Sequence, residues 1–189
     1  MDQTVRERTL DTAMDLFARQ GFQAVSVEDL CLRAPVSRLT VYRQFKSKQG
    51  LIIAALERYT EQWREWFFEA NAETPMRFEQ RLRAVFDTLA LWARSRDFHG
   101  SLLDQAVAEF PSSKHPVHKA AARCKRSIHN RLRRLVRETP LRKGVDRELV
   151  ERAVVLLFEG AVATARTPGG ATAAQDAQQI LDFLLARRR

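Results

Sequence analysis

The chain has 189 residues, enough to bury a substantial core as one or two domains. Apolar residues make up 45%, with six Pro, seven Gly and no low-complexity run, which excludes a largely disordered polymer. The net charge of +9 favours an acidic partner, but residues 1–68 hold 10 Lys and Arg against 9 Asp and Glu, and the rest holds 22 against 14.

The opening MDQTVRERTL lacks the apolar core of a signal peptide. The longest mostly apolar run, Ala153 to Ala165, is too short to span a bilayer. Both features predict a cytoplasmic protein with no membrane partner. Cys31 and Cys124 lie far apart without metal-ligand spacing and read as small packing residues.

In chain order, Thr4 to Gln20 reads as a first helix, with Leu10, Ala13, Met14 and Phe17 on one face. Gly21 suits a left-handed C-cap, with Phe22 placed for the contact that follows one. Ser26 and Asp29 form an S-x-x-D capping box for a short second helix carrying Val27, Leu30 and Ala34 inward. Pro35 cannot continue that helix and pushes Ala34 out of the α region, so the helix should end by about Arg33. Ser37 caps a third helix with Val41 and Phe45 inward. Its other face carries Arg38, Leu39, Thr40, Tyr42 and Arg43 and no carboxylate. Two short helices about a tight turn, the second with such a face, predict a DNA-reading helix-turn-helix over about 26–45.

Ser47 caps a fourth helix reaching about Phe68, roughly 33 Å at 1.5 Å per residue. Asn71 to Thr74 reads as a break, and Pro75 as the first turn of a helix running to about Ser95. Leu102 to Phe110 forms a short helix, and Pro116 opens a long basic one to about Glu138, ended by Pro140. Asp146 caps an eighth helix to about Arg166. Thr172 and Gln175 form a T-x-x-Q capping box for a ninth. No segment alternates with period two. The fold class is all-α, with about nine helices: an N-terminal three-helix DNA-binding head at 1–48 and a C-terminal helical dimerisation and ligand-binding domain at 49–189.

Residues Ser26, Leu30, Cys31, Ala34, Val36, Ser37, Val41, Tyr42, Phe45, Ser47, Lys48 and Leu51 together resemble the DNA-binding segment of the TetR family of transcriptional regulators. The likeness covers about 45 residues, counting the first helix. Pro35 and Leu39 stand where that family usually has Gly. Residues 100–126, containing AEFP and HPV, more weakly resemble one subgroup of the same family. The resemblance implies a homodimer, most simply a repressor, whose C-terminal domain binds a small ligand and whose Lys48 contacts the DNA backbone.

Double-stranded DNA is therefore the expected partner. Ser26, Ser37, Thr40, Tyr42 and Lys48 are expected on phosphates, with Arg38, Leu39 and Arg43 at base edges, where Arg prefers guanine and Leu meets a thymine methyl. The eighth helix is apolar almost all round and must be buried on several sides. Val154, Leu157 and Ala161, with Ile180, Leu181 and Leu184 of the ninth helix, are expected to pair with a second copy as a four-helix bundle. Phe86, Leu89, Trp92, Leu102, Phe110, Cys124 and Phe158 fall on inner faces and line either a solid core or an apolar pocket for an unknown small molecule. Gln105 and Glu159 are its candidate polar anchors. No catalytic motif, metal set or cofactor motif occurs, so no catalytic residue, metal or cofactor is expected. A small-molecule-binding helical protein without a DNA role, and an enzyme assembled from scattered Ser, His and Asp, are the alternatives. The basic seventh helix reads as a solvated outer face rather than a second nucleic-acid surface, because no aromatics interleave with its charges.

Overall fold

The computed structural model describes residues 4–69 and 78–185. Among them it is all-helical: α1 (Val5–Gln20), α2 (Val27–Arg33), α3 (Arg38–Phe45), α4 (Lys48–Arg64), α5 (Phe78–Ala93), α6 (Leu102–Glu109), α7 (Pro116–Glu138), α8 (Arg147–Ala165) and α9 (Ala173–Leu185). A π-helical turn, Glu65–Glu69, follows α4, and a 3-10 turn, Gly170–Thr172, precedes α9. The expected break at Asn71 to Thr74 and the helix start at Pro75 lie outside the described residues.

The chain forms two compact units. The first comprises residues 1–62 with 101–126, the second 63–100 with 127–189. The first unit thus adds most of α4, all of α6 and the first half of α7 to the head expected at 1–48.

In the first unit, Leu10, Leu16 and Phe17 of α1 are buried with Phe22, Val27, Leu30, Val41, Leu51, Ala55 and Leu56. Local signals start each helix. The Thr4 side chain accepts the Glu7 amide and Glu7 reaches back to the Thr4 amide, a second capping box. Gly21 has the expected positive φ of 93°, but its ψ of 158° makes it extended rather than left-handed helical. Phe22 still packs on Phe17, with ring centroids 4.9 Å apart.

The second unit is built on α5, α8 and α9 with the end of α7. Leu82, Val85, Phe86 and Leu89 are buried with Val154, Phe158, Ala161, Ala177 and Leu181. Trp63 and Phe67 stack at 4.3 Å, and Trp92 and Phe158 meet Trp63 edge-on at 5.0 and 5.3 Å. Arg147 at the start of α8 donates to the carbonyls of Val136, Arg137 and Thr139, so a cation satisfies the acceptors left at the end of α7. The T-x-x-Q box is not formed: the Thr172 hydroxyl donates to Asp176 Oδ2 at 2.9 Å while the chain makes its 3-10 turn. α9 still begins at Ala173, directly after the turn.

One glycine is required by close approach. A Cβ on Gly50 would stand 2.0 Å from the Phe45 carbonyl oxygen, where the first turn of α4 lies on the end of α3. Gly50→Ala must push these helices apart, and we expect it to destabilise the protein by about 1–3 kcal/mol, the usual cost of overpacking. Chemical denaturation of Gly50→Ala beside the wild type measures it.

Candidate nucleic-acid interface

The reading helix is held by short-range chemistry. Ser26 Oγ accepts the Asp29 amide at 3.1 Å, and Asp29 Oδ2 accepts both the Ser26 amide (2.8 Å) and its hydroxyl (2.6 Å). The helix this box opens ends as Pro35 requires. Ala34 is extended, with φ −103° and ψ 141°, and neither Ala34 nor Pro35 is helical. Ser37 Oγ then accepts the Thr40 amide at 3.1 Å and starts α3. Val41 and Phe45 turn inward beside Val27, Leu30 and Ala34, all buried. Two helices about a four-residue turn, 34–37, form a helix-turn-helix.

The outer face of α3 presents Arg38, Leu39, Tyr42 and Arg43, all exposed, with Thr40 half-buried at its edge. Leu39 is 79% exposed and contributes nothing to the core, so no packing reason accounts for an isobutyl group there. Three features were not read from the sequence. Arg38 Nη1 pairs with Glu28 Oε1 of α2 at 2.7 Å, so a carboxylate does stand beside this face. Lys46 ends α3 at φ 68°, positive without being Gly, and its amide bonds Tyr42 O at 2.9 Å. Lys48 Nζ donates to Gln23 O at 2.9 Å, which gives the cation at the start of α4 a partner within the protein. Ser26 and Ser37 hydroxyls are both engaged in capping, Ser37 also with Thr40 Oγ1 at 2.9 Å.

The turn before α2 is tied to α6. Glu109 accepts the Phe22 amide at 3.0 Å and the Gln23 amide at 2.9 Å, and its carbonyl accepts the Gln23 side chain at 3.0 Å. Gln105 Nε2 donates to Phe17 O and to Glu109 Oε1, both at 3.1 Å. The amide nitrogen of Gln105, a candidate ligand anchor, is thus spent on the fold. The sequence signal was faint: a Glu in AEFP says nothing of amides some 86 residues away.

The other candidate ligand residues divide between the units. Leu102, Gln105, Phe110 and Cys124 belong to the first, and Phe86, Leu89, Trp92, Phe158 and Glu159 to the second. Cys124 Sγ faces Leu56 O at 3.8 Å, and burial pushes its thiol pKa up, as desolvation does for Cys31, so neither sulfur is an activated thiolate. Glu159 Oε1 meets His129 Nε2 at 2.5 Å. Among the candidate interface residues, Val154, Ala161 and Leu181 are buried within their own unit. Of the other expected residues, Ile180 is 50% exposed and Leu157 and Leu184 are half-buried, while Leu156 at 71% and Phe183 at 63% are the more exposed neighbours. Among the described residues no group of His, Cys, Asp and Glu could hold a metal ion, and no helix is long and apolar enough to cross a membrane.

An all-helical chain whose N-terminal unit displays such a face belongs to the helix-turn-helix class of DNA-binding proteins. Comparison narrows the class. The model of the bacterial regulatory proteins of the tetR family matches residues 10–55, and that of the tetracyclin repressor-like C-terminal domain matches residues 79–181. The chain belongs to the TetR family of transcriptional regulators. It is 39% identical over 54 residues to the HTH-type transcriptional regulator YvkB of Bacillus subtilis, covering 29% of each chain. It is 24% identical over 155 residues to the regulator YjdC of Escherichia coli, covering 82% of this chain and 80% of that one. The chain spans less than a third of YvkB, and 19% of the B. subtilis regulator YerO. Among solved structures it is similar to SCO4454, a TetR-family regulator of Streptomyces coelicolor: TM-score 0.84, 28% identity, and 96% and 94% of the two chains covered. Reduced NemR of E. coli shares the fold, with TM-score 0.83 at 19% identity over 96% of this chain and 97% of that one.

The capping box has a pH signature. The Ser26 hydroxyl, and then its amide, hold the Asp29 carboxyl below its ordinary value of 3.8. A carboxyl lowered in the fold stabilises it above the unfolded pKa, and that contribution is lost as pH falls through the folded pKa. Melting temperatures from pH 5 to about pH 3 should therefore fall less steeply for Asp29→Asn than for the wild type. The α6 clamp is tested separately. Glu109→Ala leaves two amides without their acceptor and should cost about 1–3 kcal/mol in urea unfolding.

Proposed function

We propose that the chain is a homodimeric repressor that leaves a near-palindromic operator when a small, mostly apolar ligand binds. It works in the cytoplasm and catalyses no reaction. The observation that carries the DNA half is the exposed face of α3, where Arg38, Arg43 and an unpacked Leu39 stand on a helix fixed from behind by Val41 and Phe45. Two such helices related by a dimer axis enter successive major grooves about 34–36 Å apart. Ser37, Thr40, Tyr42 and Lys48 take phosphates and set register. Ser26 takes one only if the phosphate competes with Asp29 for its hydroxyl. Arg38 reads guanine after leaving Glu28, an exposed pair of the kind that is worth at most about 1 kcal/mol.

For the dimer, the interface consists of the outward stripe of α8 and α9 rather than the buried one. Leu156, Gly160 and Ala163 recur at i, i+4 and i+7 and are exposed, next in sequence to Leu157, and α9 adds Ile180, Phe183 and Leu184. A Cβ on Gly160 would meet nothing within 4 Å, so nothing in its own chain requires a residue that small. A partner helix approaching closely does. The ligand enters the second unit by parting the rings of Trp63, Phe67, Trp92 and Phe158. Phe67 sits on the π-helical turn, a departure from α geometry that frequently marks functional sites.

A gel shift on the DNA flanking its own gene tests the DNA reading, and a chain that shifts no fragment overturns it. Leu39→Ala should lose affinity at one T·A pair per half-site in a randomised-site selection, with little change in salt dependence. Lys48→Ala should weaken binding to all sequences and lower the slope of log affinity against log salt by about one. Leu156→Glu with Phe183→Glu should sediment as a folded monomer at micromolar concentration. A persisting dimer would place the interface elsewhere.

A further inference from the structure

The first compact unit holds a cleft of about 420 Å³ that the reading above does not use. Its volume lies within the roughly 300–1,000 Å³ of small-molecule sites. The floor is apolar: Phe22, Ile52, Phe110 and Val117. The rim is polar and carries Gln23, Lys48, Gln49 and His115. No carboxylate lines it. Glu109, which touches Phe22 and Gln23 from outside the lining, already accepts two backbone amides and the Gln105 side chain.

The rim groups are donors. Lys48 carries three N–H bonds, and Gln23 O takes one. His115 is fixed by stacking on Phe110, with centroids 4.7 Å apart and 14° between planes. Its Nδ1 accepts the Val117 amide at 3.3 Å, so the neutral ring carries its hydrogen on Nε2, beside the Gln49 amide at 3.3 Å. Ring and amide can both turn donors to a guest. A pocket with an apolar floor, a cation, two further donors and no anion complements a negative group on an apolar body.

We propose that this cleft binds a small organic carboxylate bearing a ring or short alkyl chain, and that Lys48 is shared between that acid and DNA. The body lies on the half-buried Phe110 ring and the edge of Ile52, with the buried Phe22 behind them, and the carboxylate takes Lys48 and the His115 edge. The second clause rests on the DNA reading above; the first does not. A bound acid neutralises one of the cations that would otherwise meet phosphate, so it weakens binding to every sequence alike.

The test uses the full chain in two arms. In isothermal titration without DNA, phenylacetate or hexanoate should bind once per chain, and 2-phenylethanol, the uncharged twin of phenylacetate, at least tenfold more weakly. Lys48→Met removes the cation and Gln49→Trp fills the rim from an exposed position; each should weaken the acid at least tenfold. Equal affinity for acid and alcohol, no binding of either acid at millimolar concentration, or unchanged binding in a folded Gln49→Trp would overturn the site. In the second arm, anisotropy of a labelled duplex is followed against salt, with matched chloride as control. Saturating acid should lower the salt slope by about one in the wild type and leave Lys48→Met unmoved. A slope that the acid does not change overturns the sharing. A chain that binds no duplex at all defeats the DNA reading and leaves the titration result standing.

Discussion

The fold of the first unit depends on one carboxylate. Glu109 closes α6 by accepting the amides of Phe22 and Gln23, two donors that the turn after α1 leaves without helical partners. Gln105, one turn earlier, donates to Phe17 O, an acceptor at the end of α1. Gly21 makes this possible twice over. Its φ of 93° suits Gly, and a Cβ there would stand 2.9 Å from Glu109 Oε1. Charge-assisted bonds of this kind are roughly twice as strong as neutral ones, and they hold the turn from which α2 begins.

Several elements inherit their positions from that turn. Phe22 is carried inward between Phe17 and Phe110, 4.9 and 6.1 Å from their centroids. The Gln23 carbonyl faces the start of α4 and takes Lys48. Asp11 of α1 meets Gln62 and Arg58 of α4 at 3.1 and 3.4 Å. The reading helix is thus fixed by its own caps and by a frame of α1, α4 and α6. A shift of α6 must carry the turn with it or break two amide bonds to Glu109. The residues expected to touch DNA and the residues of the AEFP segment share one compact unit, although about 60 to 80 residues separate them.

The sequence disclosed whatever is decided within a few residues. The limits of α2 and α7, the caps at Ser26, Ser37, Ser47 and Asp146, and the stop at Pro35 all follow from side chains bonding amides three residues on, or from a ring that fixes φ. The inner stripe of α7, from Val117 to Leu135, is buried as its spacing implies. What failed was long-range or one-residue fine. Periodicity places an apolar stripe on α8 but cannot say which side its own chain covers, because Val154 and Leu156 are equally apolar. Only packing against α5 and α9 decides, and it buries Val154 and leaves Leu156 outside. Thr172 failed as a cap because a Thr and a Gln at the right spacing also fit a 3-10 turn. Gln105 and Glu109 were invisible because their partners are backbone groups, which carry no sequence signature.

Charge shows the same division. The excess of basic residues beyond residue 68 looks like a nucleic-acid surface in composition, yet several of the cations on α7 are already paired. Arg123 pairs with Glu57 at 2.6 Å, Arg134 with Glu138 at 2.7 Å and Arg137 with Glu151 at 2.9 Å, and Lys125 meets Asp104. Arg131 lies over the Phe68 ring at 5.6 Å, and Arg147 caps α7 itself. A guanidinium committed to a carboxylate of its own chain brings little net field to a phosphate several ångströms away. Salt at physiological strength screens exposed charges beyond about 8 Å. The head, nearly neutral as a whole, therefore cannot rely on a broad basic surface for its hold on DNA. On the proposed reading its affinity comes from a few cations placed by geometry: Arg38, Arg43 and Lys48. Two of these are already engaged, Arg38 by Glu28 and Lys48 by Gln23 O, which sets their positions before any phosphate or base arrives. On that reading the head binds non-cognate DNA weakly, and its discrimination rests on how well two copies of one short helix match two half-sites at once.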